Sequence, residues 1–368
     1  MPYKISGTKT ETARVFVIDE SDYSIENNTL ISGSGYYEVT DVTSGTKIVL
    51  ARSEEGELLS YGAVVSKYVA PIYPDGGDRG VFFGGQTSGQ PVMNTIDYVT
   101  ISTTGNASSF GYNLAVAKRG VATCSNSGYD RGIIWSGYSS AGTRNVIEYV
   151  TITSPSNVTD FGDLTTARTT AQGLSNGPKN RGVLAGGNHT NMEYITINST
   201  SNASAFGNTT KDFNFTPGAF SNNINERGVW GGGDDGGYLT EIEYITINTT
   251  GNTSDFGDLS LGRRSLAGSS NGTNERGVFG GGYNLTDRID YITINSTGNA
   301  TDFGNLTLAR RKLGGTSNGT DERAIWGGGA SSVGYENDID YVTINSTGNA
   351  SSFGSLNTRM DLSATSNA

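Results

Sequence analysis

His189 is the only histidine in the chain and Cys124 the only cysteine. A Ser-His-Asp relay would have to pass through His189, which sits in the short polar turn Gly187-Asn188-His189-Thr190 and reads as a surface loop residue. One cysteine allows no intrachain disulfide, no cysteine-built zinc site and no thiol pair. Asp234 and Asp235 stand beside glycines and could offer oxygens to Ca²⁺, which takes several such ligands. No Asp-x-Asp-x-Asp ladder follows them, so the pair reads as a solvated acidic turn. A further acid recurs directly before Tyr98, Tyr149, Tyr194, Tyr244, Tyr291 and Tyr341. A catalytic group breaks a repeat; one present in every copy points to a structural hydrogen bond, with a recurring arginine as its partner. The expectation is a protein with no catalytic residue, no bound metal and no cofactor.

The elements that would position these groups are short strands. The chain has 368 residues, with 53 Gly against only 7 Pro. The glycines follow no triplet pattern and alternate with Tyr, Phe, Ile and Val, which argues for many strands joined by tight turns rather than for disorder. Net charge is −11 with no basic block. A nucleic-acid groove needs clustered Lys and Arg, so nucleic acid is excluded as a partner. Met1-Pro2-Tyr3-Lys4-Ile5-Ser6-Gly7 shows no apolar targeting segment, and no apolar run would span a bilayer. Neither a signal peptide nor membrane insertion is expected. Triplets such as Asn248-Thr249-Thr250 match a glycosylation acceptor, but they read more simply as turn composition copied by duplication.

An Arg-Gly-Val-like tag begins at Arg79, Arg131, Arg181, Arg227, Arg276 and Arg323, and each leads to a glycine six residues on. An Ile-Asp-Tyr-Ile-Thr-Ile-like block follows, then Phe-Gly at Phe110, Phe161, Phe206, Phe256, Phe303 and Phe353. Each block reads as a strand, β-branched or aromatic in composition and alternating in character. Small-residue stretches such as Ser265-Leu266-Ala267-Gly268-Ser269-Ser270 supply a fourth strand, suited to a crowded inner rim. Four strands in each of six copies mark the blades of a propeller.

The repeat resembles the kelch motif. An Arg precedes strand a (Arg264, Arg311), strand b ends in a Gly pair (Gly281-Gly282), strand c carries an acid-Tyr pair (Asp290-Tyr291), and strand d carries an aromatic (Phe303). It departs from kelch in having Phe-Gly where a Trp often stands. The first copy enters at strand b and the last stops after a strand-a-like segment, Leu362 to Asn367. The expected fold is all-β: a six-bladed kelch-like propeller over residues 79–368, closed by pairing of 359–367 with the strand holding Val81-Phe82-Phe83.

Residues 1–70 lie outside the repeat. Ala13–Asp19, Gly35–Val39 and Thr46–Arg52 alternate as strands. The Gly-x-Tyr strand followed by Gly-Thr-x-Ile-Val-Leu-Ala resembles the carboxypeptidase regulatory-like sandwich. A small Ig/transthyretin-like β-sandwich is therefore expected at 1–70, with 71–78 as linker. So small a core is marginal, so it would rest on a partner and serve as a mounting domain.

The whole repeat resembles those of structural proteins of tailed phages, especially marine and cyanobacterial ones. That resemblance implies a non-enzymatic virion protein, in a tail fibre, baseplate or other surface appendage, present in multiple copies. Residues 1–70 would hold other virion proteins, and the propeller would bind a host-surface glycan or a neighbouring virion protein. The alternatives are a polysaccharide-active propeller enzyme and a bacterial surface adhesin. The first is disfavoured by the lone histidine and by the absence of the Ser-x-Asp-x-Gly-x-Thr-Trp box of sialidase propellers. Loop length places the binding surface. Strand c to strand d is constant, nine residues from Ile101 to Phe110 and from Ile344 to Phe353, whereas the b–c stretch varies from four residues (Asn188 to Asn191) to ten (Gln86 to Thr95). Loops free to vary on a rigid scaffold carry recognition. The candidate binding residues are Gln86, Thr87, Tyr138, Asn188, Asp234, Asp235, Tyr238, Tyr283 and Tyr335.

Overall fold

With side chains, the computed structural model describes residues 77–368 except 90, 284 and 285. The sandwich and mounting role expected for residues 1–70, and most of the linker, lie outside these residues. Within them the chain forms six four-stranded antiparallel sheets arranged as a β-propeller. In each blade the strands run a, b, c, d outward from a central channel. Blade 4 shows the pattern: Gly218–Ser221, Arg227–Gly231, Glu241–Thr246 and Ser254–Asp258. Blade 1 takes its strand a from the far end of the chain, with Ser363 opposite Phe83, Ala364 opposite Phe82, Thr365 opposite Val81 and Ser366 opposite Gly80. Strand b of blade 1, Arg79–Phe83, is thus paired on both sides instead of being left as an edge.

The hydrophobic cores lie between blades rather than within them. One cluster joins Trp135 and Cys124 of blade 2 to Leu184 and Ile195 of blade 3. Another joins Phe220 and Val229 of blade 4 to Phe279 and Ile292 of blade 5. Six such clusters close the circle. Trp135, Trp230 and Trp326 are fully buried in them. The inner strands are built of small residues because they crowd the axis, where Ser175, Ser221, Ser270 and Ser317 each donate a hydrogen bond to a carbonyl of the preceding blade's inner strand.

The constant c–d length has a physical cause. Five of the six c–d turns clasp strand d of the blade before them, that of blade 2 being the exception. Gly251 N–H donates to Phe206 O at 2.8 Å, Thr253 N–H to Asn208 O at 3.0 Å, and Asn252 Oδ1 accepts from Asn208 N–H at 3.0 Å. The same bonding recurs with Gly298, Asn299 and Ala300 on blade 4, and with Gly348, Asn349 and Ala350 on blade 5. The glycine of Phe-Gly is the receiving surface: a Cβ on Gly207, Gly257, Gly304 or Gly354 would collide with the next blade's turn backbone. Gly111 of blade 1 meets nothing, because blade 2 replaces the Thr-Gly-Asn turn with Pro155-Ser156-Asn157.

Candidate functional site

Antiparallel order puts the a–b and c–d turns on one face, and the b–c loops with the d–a connectors on the other. On the first face the polar side chains are consumed in holding the ring. Each tag arginine lies over the strand-c tyrosine of its own blade, from 4.1 Å (Arg131 over Tyr149) to 4.7 Å (Arg181 over Tyr194). Each also donates to carbonyls of the next blade: Arg79 to Ile152, Arg131 to Ile197, Arg227 to Ile294, Arg276 to Ile344, and Arg323 back to Ile101. The tyrosine in turn meets the Phe-Gly phenylalanine edge-on, at 6.1 Å for Tyr244 and Phe256.

The recurring acid before that tyrosine is bound by a different cation from either arginine singled out by sequence. Arg263 pairs with Asp290 at 2.8 Å, Arg310 with Asp340 at 2.7 Å, Arg168 with Glu193 at 2.6 Å and Arg359 with Asp97 at 3.0 Å, all deeply buried. Lys118 replaces the arginine in blade 2 and holds Glu148 at 2.5 Å. Burial drives the Lys118 ammonium and the Arg263 guanidinium below their ordinary pKa range, and the facing carboxylates oppose that shift. Blade 4 breaks the pattern: Phe213 fills the cation position. Its acid, Glu243, instead accepts hydrogen bonds from the Thr210 N–H, the Thr210 hydroxyl and the Thr253 hydroxyl. Thr253 stands where other blades carry Ala203, Ala300 or Ala350. A hydroxyl has replaced a charge, and the site is a compensated structural pair.

On the second face, the connectors form a backbone collar around the channel mouth. Gly120, Thr170, Thr216, Ser265, Lys312 and Asp361 share a left-handed φ of 57° to 59°. Each N–H donates to the preceding connector: Gly120 to Asp361 O, Thr170 to Gly120 O, Thr216 to Thr170 O, Ser265 to Phe215 O, Lys312 to Ser265 O and Asp361 to Lys312 O. The collar holds the residue just before it at a fixed point on the rim, and three of these residues are arginines: Arg119, Arg264 and Arg311. The channel below holds a cavity of about 130 Å³ lined chiefly by Ser, Thr, Gly and Ala.

The candidate residues are distributed unevenly over this rim. Tyr238 and Tyr283 come together with ring centroids 5.6 Å apart. Arg264 lies 5.4 Å from the first ring and 4.6 Å from the second, and it packs on Phe215 at 4.1 Å. Asp234 is committed to Arg264 at 2.8 Å, and Asp235 is exposed beside it. Arg311 stacks on Tyr283 at 4.5 Å. Tyr335 is half-buried and accepts from Gln86 Nε2 at 3.0 Å. Gln86 itself is buried and pairs its backbone with Met360, so it supports the rim rather than presenting a contact. Thr87 is half-buried in the same loop. Tyr138 and Asn188 stand apart on blades 2 and 3; Tyr138 carries Arg119 over its ring at 5.0 Å, and Asn188 is exposed and accepts from Asn214. Phe215, Arg264 and Arg311 complete the arc but escape a reading based on b–c loop length, because they come from the connectors. Phe215 had a signal: the connector into blade 4 is one residue longer than the one into blade 5.

No known protein family model matches the chain, and no curated protein does. A chain in the crystal structure of a nidogen/laminin complex is similar in fold, with a TM-score of 0.55 at 10% identity over 79% of this chain and 98% of that one. At that identity the likeness speaks for the propeller alone.

Proposed function

We propose that the chain is a non-enzymatic binding protein of a tailed-phage virion, carried in a tail fibre, baseplate or other surface appendage. It holds a host-surface glycan or a neighbouring virion protein with the rim of b–c loops and connectors, while residues 1–70 mount it. The phage setting rests on the resemblance of the repeat. One observation carries the binding role. Tyr238 and Phe215 are left 39% and 38% exposed on the rim, packed around Arg264 and next to Tyr283 and Arg311. Aromatics and arginine are the side chains that dominate binding energy at recognition surfaces, whereas the opposite face commits its arginines and asparagines to the ring.

The reading is tested with purified particles and the purified chain. Mass spectrometry of gradient-purified virions detects the chain, and the soluble protein is retained on host cells. Tyr238→Ala combined with Phe215→Ala abolishes retention with the melting temperature unchanged. Absence of the chain from particles refutes the virion assignment; undiminished retention by the double variant refutes the rim as the binding surface.

A further inference from the structure

Three arginines occupy the same rim position in three connectors, and two of them are already neutralised. Arg119 pairs with Asp361 at 3.0 Å and Arg264 with Asp234 at 2.8 Å. Arg311 has no carboxylate partner among the described residues. Its Nε is buried without a hydrogen-bond partner, as is that of Arg264, so the missing carboxylate is what sets Arg311 apart. The internal comparison shows why. Asp234 directly follows the strand-b glycine pair of the blade before Arg264; the residue at that point before Arg311 is Tyr283. Where Arg264 finds a carboxylate, Arg311 finds an aromatic face at 4.5 Å.

We propose that Arg311 is the receptor for a carboxylate-bearing sugar, and that Tyr283 and Tyr238 form the platform beside it. This rests on the rim being the binding surface and names the ligand class. A guanidinium is a planar fork that meets a carboxylate through two parallel N–H···O bonds, and such charge-assisted bonds are shorter and stronger than neutral ones. Stacking on Tyr283 fixes the plane of the fork and leaves its hydrogen-bonding edge to a ligand. Tyr238, tilted at 56° to Tyr283 and exposed, offers an apolar ring to the C–H face of a pyranose. The chain is strongly acidic as a whole, so attraction is confined to direct contact, within about 8 Å at physiological ionic strength. A uronate is therefore preferred over a neutral sugar by its carboxylate contact and not by long-range steering.

The test is calorimetric titration of the full chain with short oligogalacturonides, with neutral oligogalactosides of equal length as control and a sulfated galactan oligomer as a competing class. The acidic oligomer binds and the neutral one binds at least about tenfold more weakly. Arg311→Gln removes that difference. Tyr283→Asp, which supplies the carboxylate that Asp234 gives Arg264, also closes the receptor, so the result does not hang on one variant folding well. Equal binding of acidic and neutral oligomers, undiminished uronate binding by both variants, or preference for the sulfated oligomer overturns the proposal. No binding of the oligogalacturonide overturns it too, while retention on host cells still decides the rim's role separately.

Discussion

Replacing Gly207 by alanine tests whether the c–d clasp holds the blades together. Gly207 has no left-handed backbone to protect, so the effect is purely steric. The new methyl would overlap the Gly251 carbonyl and come within 3.0 Å of the Asn252 nitrogen. Both are backbone atoms of blade 4 and no flexible tip can swing aside. Overpacking of this kind costs about 1–3 kcal/mol. The clasp must also loosen hydrogen bonds from Gly251 to Phe206, from Thr253 to Asn208 and from Asn208 to Asn252, each contributing about 1 kcal/mol. With partial relaxation the sum is roughly 2–4 kcal/mol, or about 3–7 °C in melting temperature for a domain of this size. Gly251→Ala is the matched control: it lies in the same clasp, but its Cβ meets nothing within 4 Å, so it shifts stability by less than about 0.5 kcal/mol. Differential scanning calorimetry reads both. A Gly207→Ala melt within a degree of the parent, or equal losses for the two variants, refutes the reasoning.

Asp290→Asn leaves Arg263 buried without its counter-charge and costs about 3–5 kcal/mol, whereas Glu243→Gln in blade 4 strands no cation and costs under about 2 kcal/mol; equal urea midpoint shifts would contradict the Phe213 and Thr253 compensation. Removal of residues 363–368 strips the inner strand from blade 1, and the melt should fall by about 5 °C or more, roughly 3 kcal/mol or above; an unchanged melt would show that closure is dispensable. Burial pushes the Cys124 thiol up to about 12, so at pH 8 it is protonated and unreactive. Iodoacetamide should label it in denaturant and not in the native protein, and rapid native labelling would show that the inner strand of blade 2 is open.

The ring was legible because its determinants are local and repeated. Arg79, Tyr98 and Phe110 and their five copies announce the strands, and the match between residues 362–367 and other inner strands anticipates the pairing with Arg79–Phe83. What escaped depends on which neighbour a side chain reaches. The buried cation is Arg263 or Arg310, not the adjacent Arg264 or Arg311, and no spacing rule separates two consecutive arginines when the connector's left-handed turn sends one inward and the other to the rim. Constant connector length likewise hid Arg264 and Arg311, since length reports backbone freedom and not what a side chain meets. The b–c loops did bring Tyr238 and Tyr283 together, but Gln86 turned inward because its loop bridges to Met360. The substitution of Phe213 for a cation was visible in the alignment of copies and became interpretable only once Glu243 was seen beside Thr253.

The arginines that lie over the strand-c tyrosines hand their hydrogen bonds on in one rotational sense, each to the following blade and the last to the first. An open row of such blades would end in a donor with no acceptor and begin with an acceptor with no donor, as solenoids do where they need special caps. A circle has neither. The bonding scheme is therefore indifferent to copy number: duplicating or deleting one whole unit leaves every donor matched, and only the wedge angle set by the cores between blades selects six. A gene for such a protein can gain or lose a repeat in one recombination event without passing through a frayed intermediate.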